Sequence, residues 1–503
     1  MASPLPDELK VAREATITAG GGATGGLLRY LFNILVARLL GVEMLGYYAL
    51  SNAVTQITGR LGGLGLDIGV VHYVSKMTAG KRGEAAIATV RRAIGLGLGA
   101  SLLVMVLLIV MADTMALHGF HDASGQLKIL ITVFAVTIPL GTVARIAAGA
   151  SQGLKVLKHR ALALQILPTA ALSIGLVLLV GWYGPLVSIG GSFVLSQVVS
   201  SVAALYLLLR IFPIHRKPKA AAEPGLVRFS LPLVGASVVA MALSWSDLIM
   251  LGALKDAATA GLYHPALRTA GIFSVLAYSF GSILAPLISV HHAENRSEQI
   301  SRLLKLTTRW SFIFLWPAFL FLTLYSAQVL LMFGVDFLPM TAPLKVIALG
   351  QLVLTLTAGA ALLLTMTGHP RYALMNAIAA LGTNIVINLA LIPRYGVMGA
   401  AIATAIAAGL LTVLRLLEAW SLYRLHPFSW RMGKPFIAAL AAWAGCLLLN
   451  RLIFDASPAV ILLSGAGLYL VVYTSGMLLL GLDEDDRSVL RAVARKMRRL
   501  PSE

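Results

Sequence analysis

Charge is scarce in this sequence: Asp, Glu, Lys and Arg make up 12% of 503 residues, about half of the ~25% found in ordinary soluble domains. Long polar stretches are missing too, because hydrophobic runs recur from near residue 16 to near residue 481. Together these absences exclude the string of soluble domains that length alone would suggest. A single cysteine, Cys446, excludes an internal disulfide; placed in an apolar run over residues 436–449, it reads as a small core residue. No Gly-rich phosphate loop followed by Lys and Ser or Thr is present, so the chain shows no ATPase motif of its own. His118 with His121, and His291 with His292, lack the thiolates or carboxylates of a metal set, so neither a metal nor another cofactor is expected. Short outer loops argue against a glycan polymerase or ligase, and the first apolar segment, without a small-residue cleavage site, reads as a retained span.

What is there is apolar: 58% of the residues are hydrophobic and the mean hydropathy is +0.86. A bilayer core of about 30 Å needs roughly 20 apolar residues per helix. Fourteen runs meet that requirement, near 16–40, 45–72, 90–112, 127–150, 162–182, 186–210, 228–254, 262–290, 308–330, 343–367, 373–393, 397–424, 433–454 and 458–481. The expected fold is therefore an all-α polytopic membrane protein with both termini on one side.

Distribution of basic residues sets the orientation. Of 40 Lys and Arg, 29 fall in the connections on the side of the termini, among them Lys155, Lys158 and Arg160; five fall on the other side and six within spans. The positive-inside rule makes the first side cytoplasmic. One crowded membrane face also explains the net charge of +19 without nucleic acid as a partner.

The two halves echo each other. Gly46-Tyr47-Tyr48-Ala49-Leu50 resembles Gly261-Leu262-Tyr263 with Ala266-Leu267 at an offset of 215 residues, and Trp182-Tyr183-Gly184 resembles Arg394-Tyr395-Gly396 at an offset of 212. A period of six spans keeps both halves in the same orientation, so they should be related by an axis along the membrane normal. The expected division is an N-lobe over 1–212, a basic Pro-containing cytoplasmic linker over 213–227, a C-lobe over 228–424, an appended pair of spans over 425–482 and an amphipathic cytoplasmic tail over 483–503.

On Ala37-Arg38-Leu39-Leu40-Gly41, Leu45-Gly46-Tyr47-Tyr48-Ala49-Leu50, Gly62-Gly63-Leu64-Gly65-Leu66, Phe229-Ser230-Leu231-Pro232-Leu233, Ser246-Asp247-Leu248-Ile249-Met250-Leu251-Gly252 and Tyr395-Gly396-Val397-Met398-Gly399-Ala400-Ala401, the chain resembles the multidrug, oligosaccharidyl-lipid and polysaccharide flippase superfamily. In particular it resembles the bacterial polysaccharide repeat-unit flippases. The resemblance implies two six-helix lobes around a central cavity, alternating access and transport of a polyprenyl-diphosphate-linked glycan across the inner membrane. It also implies a groove for the lipid tail at the last two spans, and glycosyltransferase or polymerase components as partners.

Arginine within a span costs about 2.5–3.5 kcal/mol at the helix centre, so each one is a functional candidate. Arg29 and Arg60 fall near mid-membrane and Arg268 nearer an end, on the three spans where the resemblance to lipid-linked peptidoglycan precursor flippases implies arginines. Planar guanidinium forks suit a diphosphate. Arg38, Arg145 and Arg415 lie near span ends and are expected to snorkel to water. Asn52, Gln56, Arg60, Gly63 and Asp67 share one helical stripe; Gly22, Gly26, Arg29 and Asn33 form a second, and His264, Arg268, Gly271 and Ser282 a third.

Arg29, Arg60, Arg268, Asn33 and Gln56 are therefore the expected substrate-binding residues, and Asp67 and Asp247 the candidates for H⁺ or Na⁺ coupling. A buried polar seam, with Arg60 and Asp67 neutralising each other, is the competing account. Glycines at 20–22 and 25–26, and Pro139, Pro168, Pro232, Pro265, Pro286 and Pro317, suggest either close helix packing or bending. The expected function is a flippase rather than an enzyme. A cation-coupled multidrug exporter of the same fold and a membrane scaffold of a polysaccharide secretion complex are the alternatives.

Overall fold

The computed structural model describes residues 7–80, 82–215, 218, 220–294, 296–452 and 456–481. Its elements are α1 Asp7–Gly62, α2 Leu66–Ala79, α3 Gly83–Thr114, α4 Gln126–Val136, α5 Ile138–Gly153, α6 Leu157–Ala161, α7 Leu167–Val180, α8 Pro185–Ile211, α9 Leu226–Leu254, α10 Ala257–Ala270, α11 Ile272–Ala293, α12 Ser297–Leu331, α13 Thr341–Leu356, α14 Ala358–Met366, α15 Pro370–Tyr395, α16 Val397–Tyr423, α17 Gly433–Leu452 and α18 Pro458–Leu479. Helix is the only answer such a sequence has in hydrocarbon, where every backbone N–H and C=O must find a partner within the segment.

Twelve helical segments among the described residues are long and apolar enough to cross a membrane. The protein is an all-α polytopic membrane protein. Fourteen runs were expected, and two places account for the difference. One 43-residue segment, Gly20–Gly62, covers the first expected span and enters the second, whose remainder is the 14-residue α2. The eighth expected span is split between α10 and α11, neither of which is among the twelve.

Glycine places the breaks. Gly41 interrupts α1 at φ 85°, ψ −178°, a conformation that L side chains rarely adopt. Leu64 at φ 48° and Gly65 at φ 64° turn the chain between α1 and α2. A Cβ on Gly65 would stand 2.6 Å from the Ser230 carbonyl oxygen, so this turn also lets α9 approach. The stripe from Asn52 to Asp67 therefore does not run along one helix: Gly63–Gly65 separates Arg60 from Asp67. Prolines divide likewise. Pro139 and Pro168 begin α5 and α7, where the missing N–H has no acceptor to lose, whereas Pro232, Pro265 and Pro317 lie inside helices.

The chain packs as two compact units. One comprises Met1–Thr269, Phe333–Pro343 and Ala377–Ala407; the other comprises Ala270–Met332, Leu344–Asn376 and Ala408–Glu503. Within the first, Leu66, Val70, Ala86, Val90, Ala147 and Leu208 bury a seam joining α2, α3, α5 and α8. Gly46 and Gly261, which correspond in the sequence repeat, meet directly. A Cβ on Gly46 would strike the Ala257 carbonyl, and one on Gly261 the Val42 carbonyl and, at 2.8 Å, the Gly46 nitrogen. Lipid offers no hydrophobic drive between helices, so such small-residue crossings supply the packing.

In the second unit, Tyr325, Ala439, Ala442, Cys446 and Tyr469 form one buried cluster that seats α17 and α18 on α12. Tyr473 OH donates to the Ile313 carbonyl at 2.6 Å, and the Tyr325 ring fills the space left by Gly465. Cys446 is fully buried there. The tail expected to be amphipathic, residues 483–503, lies outside the described residues.

Candidate functional site

A cavity of about 460 Å³ opens within the first unit. Its walls come from both halves of the sequence: α1, α5, α6, the π-turn at Leu162–Ile166, α7 and α8 from the first, α9 and α10 from the second. Tyr48, Asn52, Gln56 and Arg60 project into it from α1 at intervals of four, one face of a helix. Arg29 enters from the earlier part of α1, Arg145 from α5, Arg160 from α6 and Arg268 from α10. Neutral donors and acceptors fill much of the remaining wall: Gln165, Ser196, Gln197, Ser200 and Ser244. Five arginines and no carboxylate line this space among the described residues.

Four of the five guanidinium groups have a fixture of their own. Arg60 Nη1 donates to Asp67 Oδ2 at 3.3 Å, Arg60 being about 29% exposed and Asp67 10%. Arg145 Nη2 donates to the Gly59 carbonyl at 3.0 Å and to Thr142 Oγ1 at 3.1 Å. Arg160 Nη1 donates to Gln152 Oε1 at 2.8 Å. Arg268 lies over the Trp245 ring, 4.4 Å from its centroid, and its Nε donates to His264 Nε2 at 3.4 Å. The Asn33 amide oxygen stands 3.1 Å from that same imidazole nitrogen.

Of the residues singled out by sequence, Arg29, Arg60, Arg268 and Gln56 come together on the cavity. Asn33 does not line it. Buried at 1% exposure, its Nδ2 donates to the Arg29 carbonyl at 2.6 Å, while its oxygen faces His264 Nε2, a nitrogen that either donates to Asn33 or accepts from Arg268 according to its tautomer. Asp67 also stands behind the wall, as the partner of Arg60. Asp247 belongs to a different cluster. Its Oδ1 accepts from Asn384 and Asn388 Nδ2, each at 2.8 Å, while Oδ2 accepts from Tyr263 OH at 3.4 Å and from Thr404 Oγ1. No cation pairs with Asp247 among the described residues.

Arg145 corrects one expectation. It does not snorkel from a span end, because α5 begins only at Ile138 and places Arg145 halfway along a helix that faces the cavity. Arg160, counted with the cytoplasmic loop cations, also faces it, since helix resumes at Leu157. The glycines of the first span divide between the two readings. A Cβ on Gly21 would lie 2.6 Å from Ala161 Cβ and one on Gly25 2.8 Å from Gln165 Cβ, whereas Gly20 and Gly26 face open space. Among the described residues, no group of three or more His, Cys, Asp or Glu is close enough to hold an ion.

Residues 11–292, more than half of the chain, match the family model of polysaccharide biosynthesis proteins. The chain belongs to this family. Over 240 residues this polysaccharide biosynthesis protein is 24% identical to a Haloferax volcanii protein named probable low-salt glycan biosynthesis flippase Agl15, with 45% of this chain and 51% of that one covered. The chain spans about half the length of the curated relatives it matches. Among solved structures, lipid II flippase MurJ in an inward closed conformation matches with a TM-score of 0.71 at 14% identity, covering 92% of this chain and 98% of that one. An inward-facing multidrug resistance transporter of the MATE family matches with a TM-score of 0.63 at 15% identity, covering 82% of this chain and 98% of that one. At such identities the likeness concerns the fold, which is MurJ- and MATE-like.

Proposed function

We propose that this protein is a flippase that moves an undecaprenyl-diphosphate-linked oligosaccharide from the cytoplasmic to the periplasmic leaflet of a bacterial inner membrane, for surface polysaccharide biosynthesis. The observation that carries the reading is five arginines on one cavity whose lining contains no carboxylate among the described residues. Guanidinium groups in a membrane interior are costly unless paired, and a diphosphate supplies charge and acceptor oxygens in the geometry their forks prefer. Arg29 and Arg268 are the diphosphate ligands, with Arg60 beside them; Gln56, Asn52 and the neutral wall receive sugar hydroxyls. The family, and the flippase named among the relatives, support the same reading.

Fourteen spans in two six-helix lobes, bounded at 1–212 and 228–424 and followed by spans over 425–482, complete the proposal. The meeting of Gly46 with Gly261 supports it, because repeat-equivalent residues touch where a two-fold axis passes between them. Alternating access would move the sugar through the cavity while the lipid tail stays in the bilayer. Asp247, caged by neutral donors, is the proposed H⁺ or Na⁺ site; Asp67 is taken by Arg60 and is the weaker candidate. Glycosyltransferase or polymerase components are the proposed protein partners.

Replacement of Arg29 and Arg268 by Ala tests the reading in cells, with Arg60 left in place because it pairs with Asp67. Export of surface glycan should stop while the amount of protein in the membrane is unchanged. A multidrug exporter would lose drug resistance instead, and a scaffold would lose neither; normal glycan export at wild-type abundance contradicts the proposal.

A further inference from the structure

Charge balance in the cavity leads one step further. Five arginines stay ionised at any physiological pH, and the carboxylate of Asp67 offsets one of them, Arg60. Four positive charges remain. Arg29 and Arg268 are electrostatic neighbours of each other, and a diphosphate bridging lipid and sugar carries about two negative charges, enough for that pair. Arg145 and Arg160 are left over. The partners seen for them are neutral: the Gly59 carbonyl, Thr142 and the Gln152 side chain. Arg145 has two charged neighbours, Arg60 and Asp67, and that single carboxylate, already engaged by Arg60, cannot balance both guanidinium groups. On the wall of the same cavity, the side-chain oxygen of Gln165 is buried without a hydrogen-bond partner among the described residues, an acceptor ready for a sugar hydroxyl.

Uncompensated cations in a low-dielectric cavity are unfavourable, and a ligand bringing its own negative charge removes that penalty. We infer that the transported glycan is acidic, with a carboxylate, sulfate or phosphate on one of its sugars seated against Arg145 and Arg160. This deepens the flippase reading and rests on it. The two basic pairs then divide the labour: Arg29 and Arg268 recognise the diphosphate common to any lipid-linked glycan, whereas Arg145 and Arg160 select among glycans.

Binding to the purified full-length protein tests this with two synthetic short-prenyl diphosphate disaccharides, identical except that the terminal sugar is glucuronate in one and glucose in the other. The glucuronate probe should bind about tenfold more tightly, the effect expected of one charge-assisted contact, and the preference should shrink as salt is raised. Arg145→Gln with Arg160→Gln should bring the ratio to within about twofold of unity. The pair Arg145→Lys and Arg160→Lys, which keeps the charge, should retain most of the preference and guards against misfolding as the cause of its loss. Equal binding of both probes by the wild-type protein overturns the acidic-glycan inference and leaves the flippase reading standing. Binding of neither probe overturns both.

Discussion

Arg60 is held from two sides, lining the cavity while its Nη1 donates to Asp67 at 3.3 Å. If the pair is structural, Arg60→Ala and Asp67→Ala should each destabilise the protein, and the double variant should be less damaged than the sum. A coupling of about 1–3 kcal/mol is expected, at the modest end because Arg60 is partly exposed. Thermal unfolding in detergent measures it, and strict additivity contradicts a coupled pair. At Asp247 the prediction concerns ions. Asp247→Asn removes the charge and keeps the shape: its oxygen can still accept from Asn384 and Asn388, while its NH2 must donate to the Thr404 and Tyr263 hydroxyls, which now donate to Asp247. Na⁺ or acid should therefore stabilise the wild-type protein and not the variant; an equal response in both rules Asp247 out as the coupling site. At this scale sequence was informative where polar residues recur at helical intervals, as from Asn52 through Gln56 to Arg60. It misjudged Arg145 and Arg160 because facing the cavity depends on how the surrounding helices pack, which neither the Pro139 that begins α5 nor the local pattern at Leu157 reveals.

Helices in this protein meet through glycine, and each meeting has a different tolerance. The Gly46 and Gly261 crossing brings backbone against backbone, which cannot shift cheaply. Gly261→Val should cost about 3 kcal/mol or more and reduce folded protein in the membrane, a loss readable by size-exclusion chromatography after extraction. Gly26→Ala, into open space, should be neutral or stabilise by up to about 1 kcal/mol. If both variants were equally stable, close packing would not explain the repeated glycine. Element boundaries were legible from hydrophobic length in most of the chain. They were not at Gly41, where two expected spans join as one helix with a single non-helical residue, nor at α10 and α11, where Gly271 divides one apolar run. At Gly41 a Cβ would meet nothing within 4 Å, so the break is a matter of backbone conformation, which a hydrophobic pattern does not contain.

For the whole molecule, the proposed span number rests on hydrophobic length and the proposed orientation on where the basic residues lie, and chemistry at single positions can test both. Cys446 is the only native thiol and its side chain is fully buried, so Cys446→Ala provides a background for labelling. Cysteines at Ser124 and Ser457 should react with an impermeant maleimide from outside, and cysteines at Thr78, Ala221 and Ser297 only after lysis. Reversal at two or more of these exposed positions would contradict fourteen spans with cytoplasmic termini.

Transport itself can be watched in vesicles. With the full-length protein in liposomes that hold a fluorescent short-prenyl diphosphate oligosaccharide in both leaflets, an impermeant quencher reaches only the outer pool, about half of the total. The flippase reading predicts that wild-type vesicles let nearly all of the fluorescence be quenched as inner-leaflet probe crosses, whereas vesicles with Arg29→Ala and Arg268→Ala stop at the outer half. Wild-type vesicles that keep the inner half protected, with the protein folded and correctly inserted, would contradict the account at its centre.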